Sequence, residues 1–582
     1  MTSSIHTIKH VPKGARLLWA DVLSAALKAV VSNPGCEHHW LLLHALPKLC
    51  LRLPPRGGKK KARSFASTPF LVGMLRKAKD LQWSSLFDEA SSSYRAKAPV
   101  DRKPQAPRPA FIRERVMSLV EEGQLSKACA ALDPAGMHEL SPSVISTLQQ
   151  KHPVGEPLPP VPTQDQQDAP KSLCFDVDAI LRALRGFHKA TAPGGSRLRV
   201  CHLLDALDIP TGDADGRISK PLTKVCNLLV AGEAPSSVAP WIAGAPLYPL
   251  KKKDGGVRPI AVGEVLRRLV SRACCAEVKA DSFFLSMGQV GVGVKGGAEA
   301  AVQAVRLALE HASDSVTLKV DFENAFNAVD RHAILKELEA NFPQLVSWFR
   351  FCYSDPAILT CQGKVLPFGS SRGVQQGDPL GPFFFSLALC ACCLGLKASL
   401  SDCLSVWYLD DGTIVGKKEE VLKAWHIINK EAAMVGLKVN AGKCELFSSA
   451  GSGSLSDFPC SIKRCSPQGF DLLGSPIGSK EWCNTYIKSK RVDKIAKGLQ
   501  NLHLIDDPQV ELTLLRSCLG MPKFAFALRS APAPDILEAA SDFNALIDAT
   551  RDERFGLSLS PLQKLQLQLP IWMGGSGIIS AG

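Results

Sequence analysis

Apolar positions along this chain change their spacing several times, and each change marks a new kind of element. Residues 15–31 and 40–49 carry apolar residues at helical intervals. Residues 51–110 lose that rhythm, turn basic and Pro-rich, and are expected to be loose apart from a helix near 70–83. Helical spacing resumes over 111–151 through Ile112, Val116, Leu119, Val120, Leu125 and Ala128. Pro153, Pro157, Pro159, Pro160, Pro162 and Pro170, interspersed with Gln164, Gln166 and Gln167, then read as an interdomain linker. Beyond it come helices at 176–187 and 200–207, and a strand, Gly-rich turn and strand over 246–260. A helix over 298–311 leads into a strand, Val316 to Val320. Asp378-Pro379 open a long apolar helix, and a helix over 419–435 stops at Gly436. Between those two helices, residues 404–409 and 413–416 read as strands joined by a turn at Asp410-Asp411-Gly412.

Composition adds little to that picture, and charge adds more. A hydrophobic share of 46% and a charged share of 21% over 582 residues describe a globular chain long enough for several domains. The longest apolar run, 383–396, is too short to span a bilayer, so no membrane partner is expected. No signal-peptide core opens the chain. Nineteen cysteines, an odd number scattered along the chain, point to a reducing, intracellular setting, with nucleus and cytoplasm as the expected compartments. Residues 1–115 hold 21 Lys and Arg against 7 Asp and Glu, a net of +14 that equals the whole chain's. Basicity therefore belongs to one arm. Its densest part, Arg52, Arg56, Lys59, Lys60, Lys61 and Arg63, suits nucleic-acid phosphates or nuclear import, against the plainer reading of a solvated loop.

The candidate chemistry centres on Asp410 and Asp411. Adjacent carboxylates at a hairpin tip repel each other unless a cation and a third acid share the site, and Asp321 at the end of its strand supplies that acid. Mg²⁺ fits best, since it favours carboxylate oxygens and keeps places for water and phosphates. Lys251, Lys252, Lys253 and Arg258 project from the hairpin of 246–260, where they can meet a triphosphate. Two other patterns compete. Gly291-Val292-Gly293-Val294-Lys295-Gly296 matches the dinucleotide fingerprint, although 283–290 is a poor strand. Cys36, His39, His44 and Cys50 invite zinc, but Trp40, Leu43 and Leu46 interleave with them as the core face of a helix.

Asp321 with Phe326, Arg372-Gly373-Val374-Gln375-Gln376-Gly377-Asp378-Pro379-Leu380, Tyr408-Leu409-Asp410-Asp411, Lys443-Cys444 and Leu472-Leu473-Gly474 occur in this order. Over roughly 185–480 the chain thereby resembles reverse transcriptases of the non-LTR retrotransposon type. One departure is Ala192-Pro193-Gly194-Gly195-Ser196, where such proteins commonly have Gly-Pro-Asp-Gly. The resemblance implies an α+β right-hand polymerase whose antiparallel palm sheet carries the Tyr-Leu-Asp-Asp hairpin, preceded by a basic, mostly helical N-terminal region. It divides the chain into a basic arm (1–110), a helical segment (111–152), a linker (153–172), fingers (173–300), palm (301–478) and a thumb with C-terminal segment (479–582).

It also implies roles. Asp321, Asp410 and Asp411 hold two Mg²⁺ (or Mn²⁺) and Lys443 is the acid for pyrophosphate. Phe322, Asn324, Ala325, Phe326, Gln376, Gly377 and Tyr408 meet the nucleotide, with the Phe326 ring excluding a 2′-hydroxyl. The Gly-rich loop at 290–297 touches the template, while Leu472 and Gly474 belong to the primer grip. The implied partners are an RNA template, a DNA primer and dNTPs. A catalytically silent nucleic-acid-binding remnant and a nucleotide-cofactor oxidoreductase remain as alternatives. No stretch reads as an endonuclease or a zinc knuckle, which is compatible with a truncated copy.

Overall fold

The computed structural model describes residues 5–54, 60–95, 109–133, 136–160, 171–188, 191–210, 212–252, 255–312, 314–451 and 455–581, with backbone alone at 60–67 and 93–95. Eleven strands can be numbered in chain order among them. β1 (Ala245–Lys251), β2 (Val257–Ala261), β4 (Ala357–Cys361) and β5 (Lys364–Ser370) form one sheet in the order β2-β1-β4-β5. β3 (Val316–Val320), β6 (Leu404–Tyr408), β7 (Asp411–Gly416), β8 (Glu445–Ser448) and β9 (Lys463–Arg464) form a second, in the order β6-β7-β3-β8-β9. β10 (Gly469–Leu472) and β11 (Ser475–Gly478) make a separate hairpin.

The five-stranded sheet is buried on both faces, and its sequence shows why. Successive side chains of a strand point to opposite faces. Leu318, Trp407, Ile414 and Leu446 face the main core, beside Phe384, Phe385, Ala424 and Ile428 from helices Gly381–Ala388 and Lys418–Met434. Val406, Val415 and Phe447 face the other way, against Val302 and Val305 of helix Gly297–His311 and against Phe470, Leu472 and Ile477 of the β10–β11 hairpin. The apolar helix expected after Asp378 is two helices, Gly381–Ala388 and Cys390–Ser399, bent by 41° at Leu389. Among the described residues no single helix is long and apolar enough to cross a membrane.

The N-terminal third departs most from expectation. Helices Lys13–Ser32 and Glu37–Cys50 stand where helical spacing placed them, and Lys60–Lys79 with Trp83–Arg95 replace much of the stretch expected to be loose. Trp19, Trp40, Leu43 and Leu46 are buried in the main core, continuous with helices Val200–Leu207 and Ser219–Val230. Helices Pro109–Glu121 and Leu125–Leu132 join neither arm nor fingers. Their Val116, Ala128, Ala131 and Leu132 complete the core of the C-terminal helices, with Ile487, Leu514, Phe524 and Phe543. The stretch called a linker is pinned over 153–160. Gly155 N donates to Ser371 Oγ at 3.2 Å, Arg350 to the Pro159 carbonyl at 2.6 Å, and the His332 ring meets the Pro157 carbonyl at 3.1 Å.

Candidate active site

The five-stranded sheet brings the three acids together by register. β3 and β7 run antiparallel with Val320 paired to Gly412. Asp321 and Asp411 are the next residues outward on the two strands, so their backbones face each other across about 5 Å and their side chains leave the same face. The hairpin is tighter than its sequence suggests. Tyr408 pairs with Asp411, the turn is Leu409-Asp410, and Asp411 already belongs to β7, correcting the turn expected at 410–412. Leu409 takes a positive φ of 57°, which a non-glycine residue rarely adopts.

Electrostatics confirm the convergence. Burial raises the Asp321 carboxyl, against the pull of the Lys443 and Lys252 ammonium groups. Burial also raises Asp410, and the charge of Asp321 adds to it. Asp411 reaches solvent along one edge, yet partial desolvation and the charges of Asp410 and Asp321 push it up to about 6. Lys443 approaches Asp321 Oδ1 at 3.8 Å, an ion pair beyond hydrogen-bond length, and that oxygen is buried without a hydrogen-bond partner. An orphaned carboxylate oxygen beside two mutually repelling acids fits a divalent cation. Among the described residues no group of three or more His, Cys, Asp or Glu side chains closes round an ion. The three acids, as they stand, are not gathered closely enough to hold an ion alone, and a cation there would share its shell with water and phosphate.

Around this centre the other expected residues separate into two groups. Lys251 ends β1 exposed, and Lys252 follows within electrostatic reach of Asp321. Lys253 lies outside the described residues. Arg258 is exposed on β2 and, among the described residues, makes no ion pair. Phe326 is half-buried and stacks on Phe385 at 4.8 Å, while its carbonyl accepts from Val374 N at 2.7 Å. Gln376 and Gly377 are exposed, and Tyr408 is half-buried. Asn324, also at positive φ, donates to the Lys151 carbonyl at 2.9 Å.

The second group is corrected. Phe322 is 4% exposed and lies parallel to Trp407 in the core, so it offers no face to a nucleotide. Ala325 is buried and presents only backbone. Leu472 is buried with Phe447 and Phe470, which leaves the half-buried turn Leu473-Gly474, both at positive φ, as the part of that hairpin nearest solvent on its side of the turn. Arg491 holds its tip by donating to the Gly474 carbonyl at 2.9 Å. Arg52 is 3% exposed, bonded to Glu89 at 2.7 Å and to the Leu49 carbonyl at 2.8 Å, and is thus a structural ion pair in place of a phosphate contact. Arg56 and Lys59 lie outside the described residues, and Lys60, Lys61 and Arg63 enter helix Lys60–Lys79.

The sequence also left several supports unread. Arg267 and Asp378, both buried, pair at 2.8 Å, and Arg267 bonds Gln375 at 3.0 Å, locking the fingers helix Val265–Glu277 to the loop that carries Gln376. Arg331, also buried, donates to the carbonyls of Gly373 and Tyr353 at 3.0 and 2.8 Å. Asn440 N donates to the Asp321 carbonyl at 2.8 Å. Arginine inside apolar helices was the available signal, since a buried guanidinium demands an acceptor. The Gly291 loop is no dinucleotide site. A helix, Asp281–Ser286, precedes it in place of a strand, and a Cβ at Gly291 would lie 2.6 Å from Leu409 N of the acidic hairpin.

Carboxylates at the ends of antiparallel strands, with a basic hairpin in electrostatic reach, fit the fold of a right-hand polymerase. Within that class the match is narrower. Residues 250–477 match the family described as reverse transcriptase (RNA-dependent DNA polymerase). The retrotransposable element SLACS 132 kDa protein of Trypanosoma brucei gambiense is 24% identical over 375 residues, spanning 62% of this chain and 30% of its own length. Apo telomerase from Candida tropicalis aligns over 54% of this chain and 62% of its own at 12% identity, with a TM-score of 0.31, too low to carry an argument. The chain thus carries a region that matches reverse transcriptases, and it is similar to a retrotransposable element protein. It spans under a third of the curated relative's length.

Proposed function

We propose that this protein copies RNA into DNA, extending a DNA primer with deoxynucleotides. The observation that carries the reading is the buried Asp321 oxygen without a hydrogen-bond partner, at a strand end whose register brings it opposite Asp411 at the start of β7. Asp321, Asp410 and Asp411 would hold two Mg²⁺, whose charge, when bound, sharpens the primer 3′-hydroxyl and stabilises the departing pyrophosphate. The chain's own groups do the rest. Lys252 and Arg258 meet the triphosphate, with Lys251 beside them. Lys443, exposed and already paired to Asp321, donates a proton to the pyrophosphate. Gln376 and Gly377 lie open to the incoming base pair. The Phe326 ring is held by Phe385 from behind, which gives it the rigidity to exclude a 2′-hydroxyl. An intracellular location accords with nineteen free thiols, twelve of them buried.

Primer extension with dTTP on poly(rA)/oligo(dT) tests the reading. Incorporation that stops on addition of EDTA is the expected result, and no incorporation, or incorporation indifferent to EDTA, overturns it. Replacing Phe326 by Val should admit rUTP, improving its use about ten-fold relative to dTTP. An unchanged ratio removes the ring from selection of the sugar.

A further inference from the structure

The loop with the Gly-rich fingerprint has a second role, and its residue Gln289 carries it. β6 is the edge strand of the five-stranded sheet, and its outer backbone is covered by this loop: Val290 N donates to the Trp407 carbonyl and Trp407 N to the Gly288 carbonyl, both at 2.8 Å. That leaves Leu409. As the first turn residue of a two-residue hairpin it has no cross-strand partner, and its positive φ needs outside support.

Gln289 supplies the support. Its side chain is buried, 1% exposed, and its Oε1 accepts from Leu409 N at 2.8 Å and from Gly291 N at 3.0 Å. Its Nε2 donates to the Leu409 carbonyl at 3.1 Å. The amide orientation is unambiguous, because turning it over would set NH₂ against two N–H groups. One amide thus satisfies both backbone groups of the residue immediately before Asp410. Gly291 must be glycine for the loop to come this close, since a Cβ there would fall 2.6 Å from Leu409 N and 3.0 Å from Gln289 Oε1. The loop is anchored in turn by Gln289 N donating to the Phe284 carbonyl at 3.0 Å.

We infer that Gln289 is the positioning residue of the catalytic hairpin, fixing Leu409 so that the Asp410 and Asp411 carboxylates stand ready beside Asp321. The role rests on the proposed polymerase reading, but its test has a readout independent of it. Gln289→Met keeps length and volume and removes all three bonds. Two properties are measured on purified full chain: Mn²⁺ affinity, from the free-ion signal in electron paramagnetic resonance, and dTTP incorporation on poly(rA)/oligo(dT). The expected result is Mn²⁺ binding weakened about five-fold or more, with kcat down about thirty-fold. KM for dTTP should stay within about two-fold and the melting temperature near that of the parent.

Gly291→Ala, which displaces the turn from the other side, should reproduce the same signature and serves if Gln289→Met does not fold. Parental Mn²⁺ affinity and kcat in either folded variant overturns the assignment. So does a lowered melting temperature with both properties intact per folded molecule, since that marks a merely structural amide. Should the parent protein incorporate nothing, the polymerase reading fails, and the Mn²⁺ titration still decides the role of Gln289.

Discussion

The palm and the N-terminal 160 residues use the same physical chemistry but differ in how far apart the cooperating residues lie. In the palm, each functional group sits within a few residues of the turn or strand end that aims it: Asp321 just past β3, Asp410 and Asp411 at the β6–β7 turn, Lys443 in the turn before β8. In the N-terminal region the partner that gives a residue its role lies far along the chain. Arg52 answers to Glu89, Trp19 donates to the His202 carbonyl, and Val116 completes a core most of whose members lie at or beyond Ile487. Local spacing encodes the first kind of arrangement. Only packing reveals the second.

The largest expected effect probes the locally encoded site. Asp321→Asn removes a carboxylate oxygen and should lower dTTP incorporation ~10³-fold or more with little change in stability, measured by primer extension alongside a melting curve. A residual rate within ten-fold would mean the strand-end acid is dispensable, and the contrast between the regions would lose its firmer half. Val116→Asp probes the distant arrangement next. An unpaired carboxylate forced into the C-terminal helical core should cost about 3 kcal/mol in denaturant unfolding. A surface-like change below about 0.5 kcal/mol would show that residues 109–132 do not dock there.

Arg52→Ala should cost about 2 kcal/mol by removing a buried guanidinium that bonds Glu89 and the Leu49 carbonyl, while Glu89 keeps Lys77. The salt dependence of RNA binding should keep its slope, and a shallower slope would return Arg52 to the phosphate contacts its composition suggested. The smallest effect is in pH. The buried His202 ring bonds the Ile8 carbonyl at 2.9 Å and accepts from Arg199 N at 3.2 Å, and burial drives its pKa down to about 3. Below its ordinary value near 6.5 the unfolded chain takes up a proton that the folded chain refuses, so its stabilisation is complete above that value and drains away as pH falls toward 3. The loss at pH 5.5 should be about 1 kcal/mol. His202→Gln, whose amide can still bond, should therefore show a smaller drop in melting temperature between pH 7 and 5.5. Equal drops would place the acid sensitivity elsewhere.

The strand ends, the basic fingers hairpin and the apolar helices beneath the sheet were legible because alternation, Gly-rich turns and adjacent acids are local signals. The exact turn was not, since a leucine at positive φ breaks the rule that glycine marks such a position. Phe322 and Leu472 misled for a related reason. Both stand beside functional positions, but strand alternation turns their side chains into the core. Gln289 left no pattern at all, because its partners belong to a turn far along the chain. The Pro-rich stretch was half legible: prolines predicted extended backbone, and that backbone at 153–160 is clasped by Ser371, His332 and Arg350.

The central claim is that the three acids act as one cation site. Counting bound Mn²⁺ on the parent chain and on the triple variant Asp321→Asn, Asp410→Asn, Asp411→Asn tests it most directly. Binding to the parent, with affinity weakened about ten-fold or more in a variant of undiminished melting temperature, is the predicted result. Equal Mn²⁺ affinity in the two proteins would contradict it.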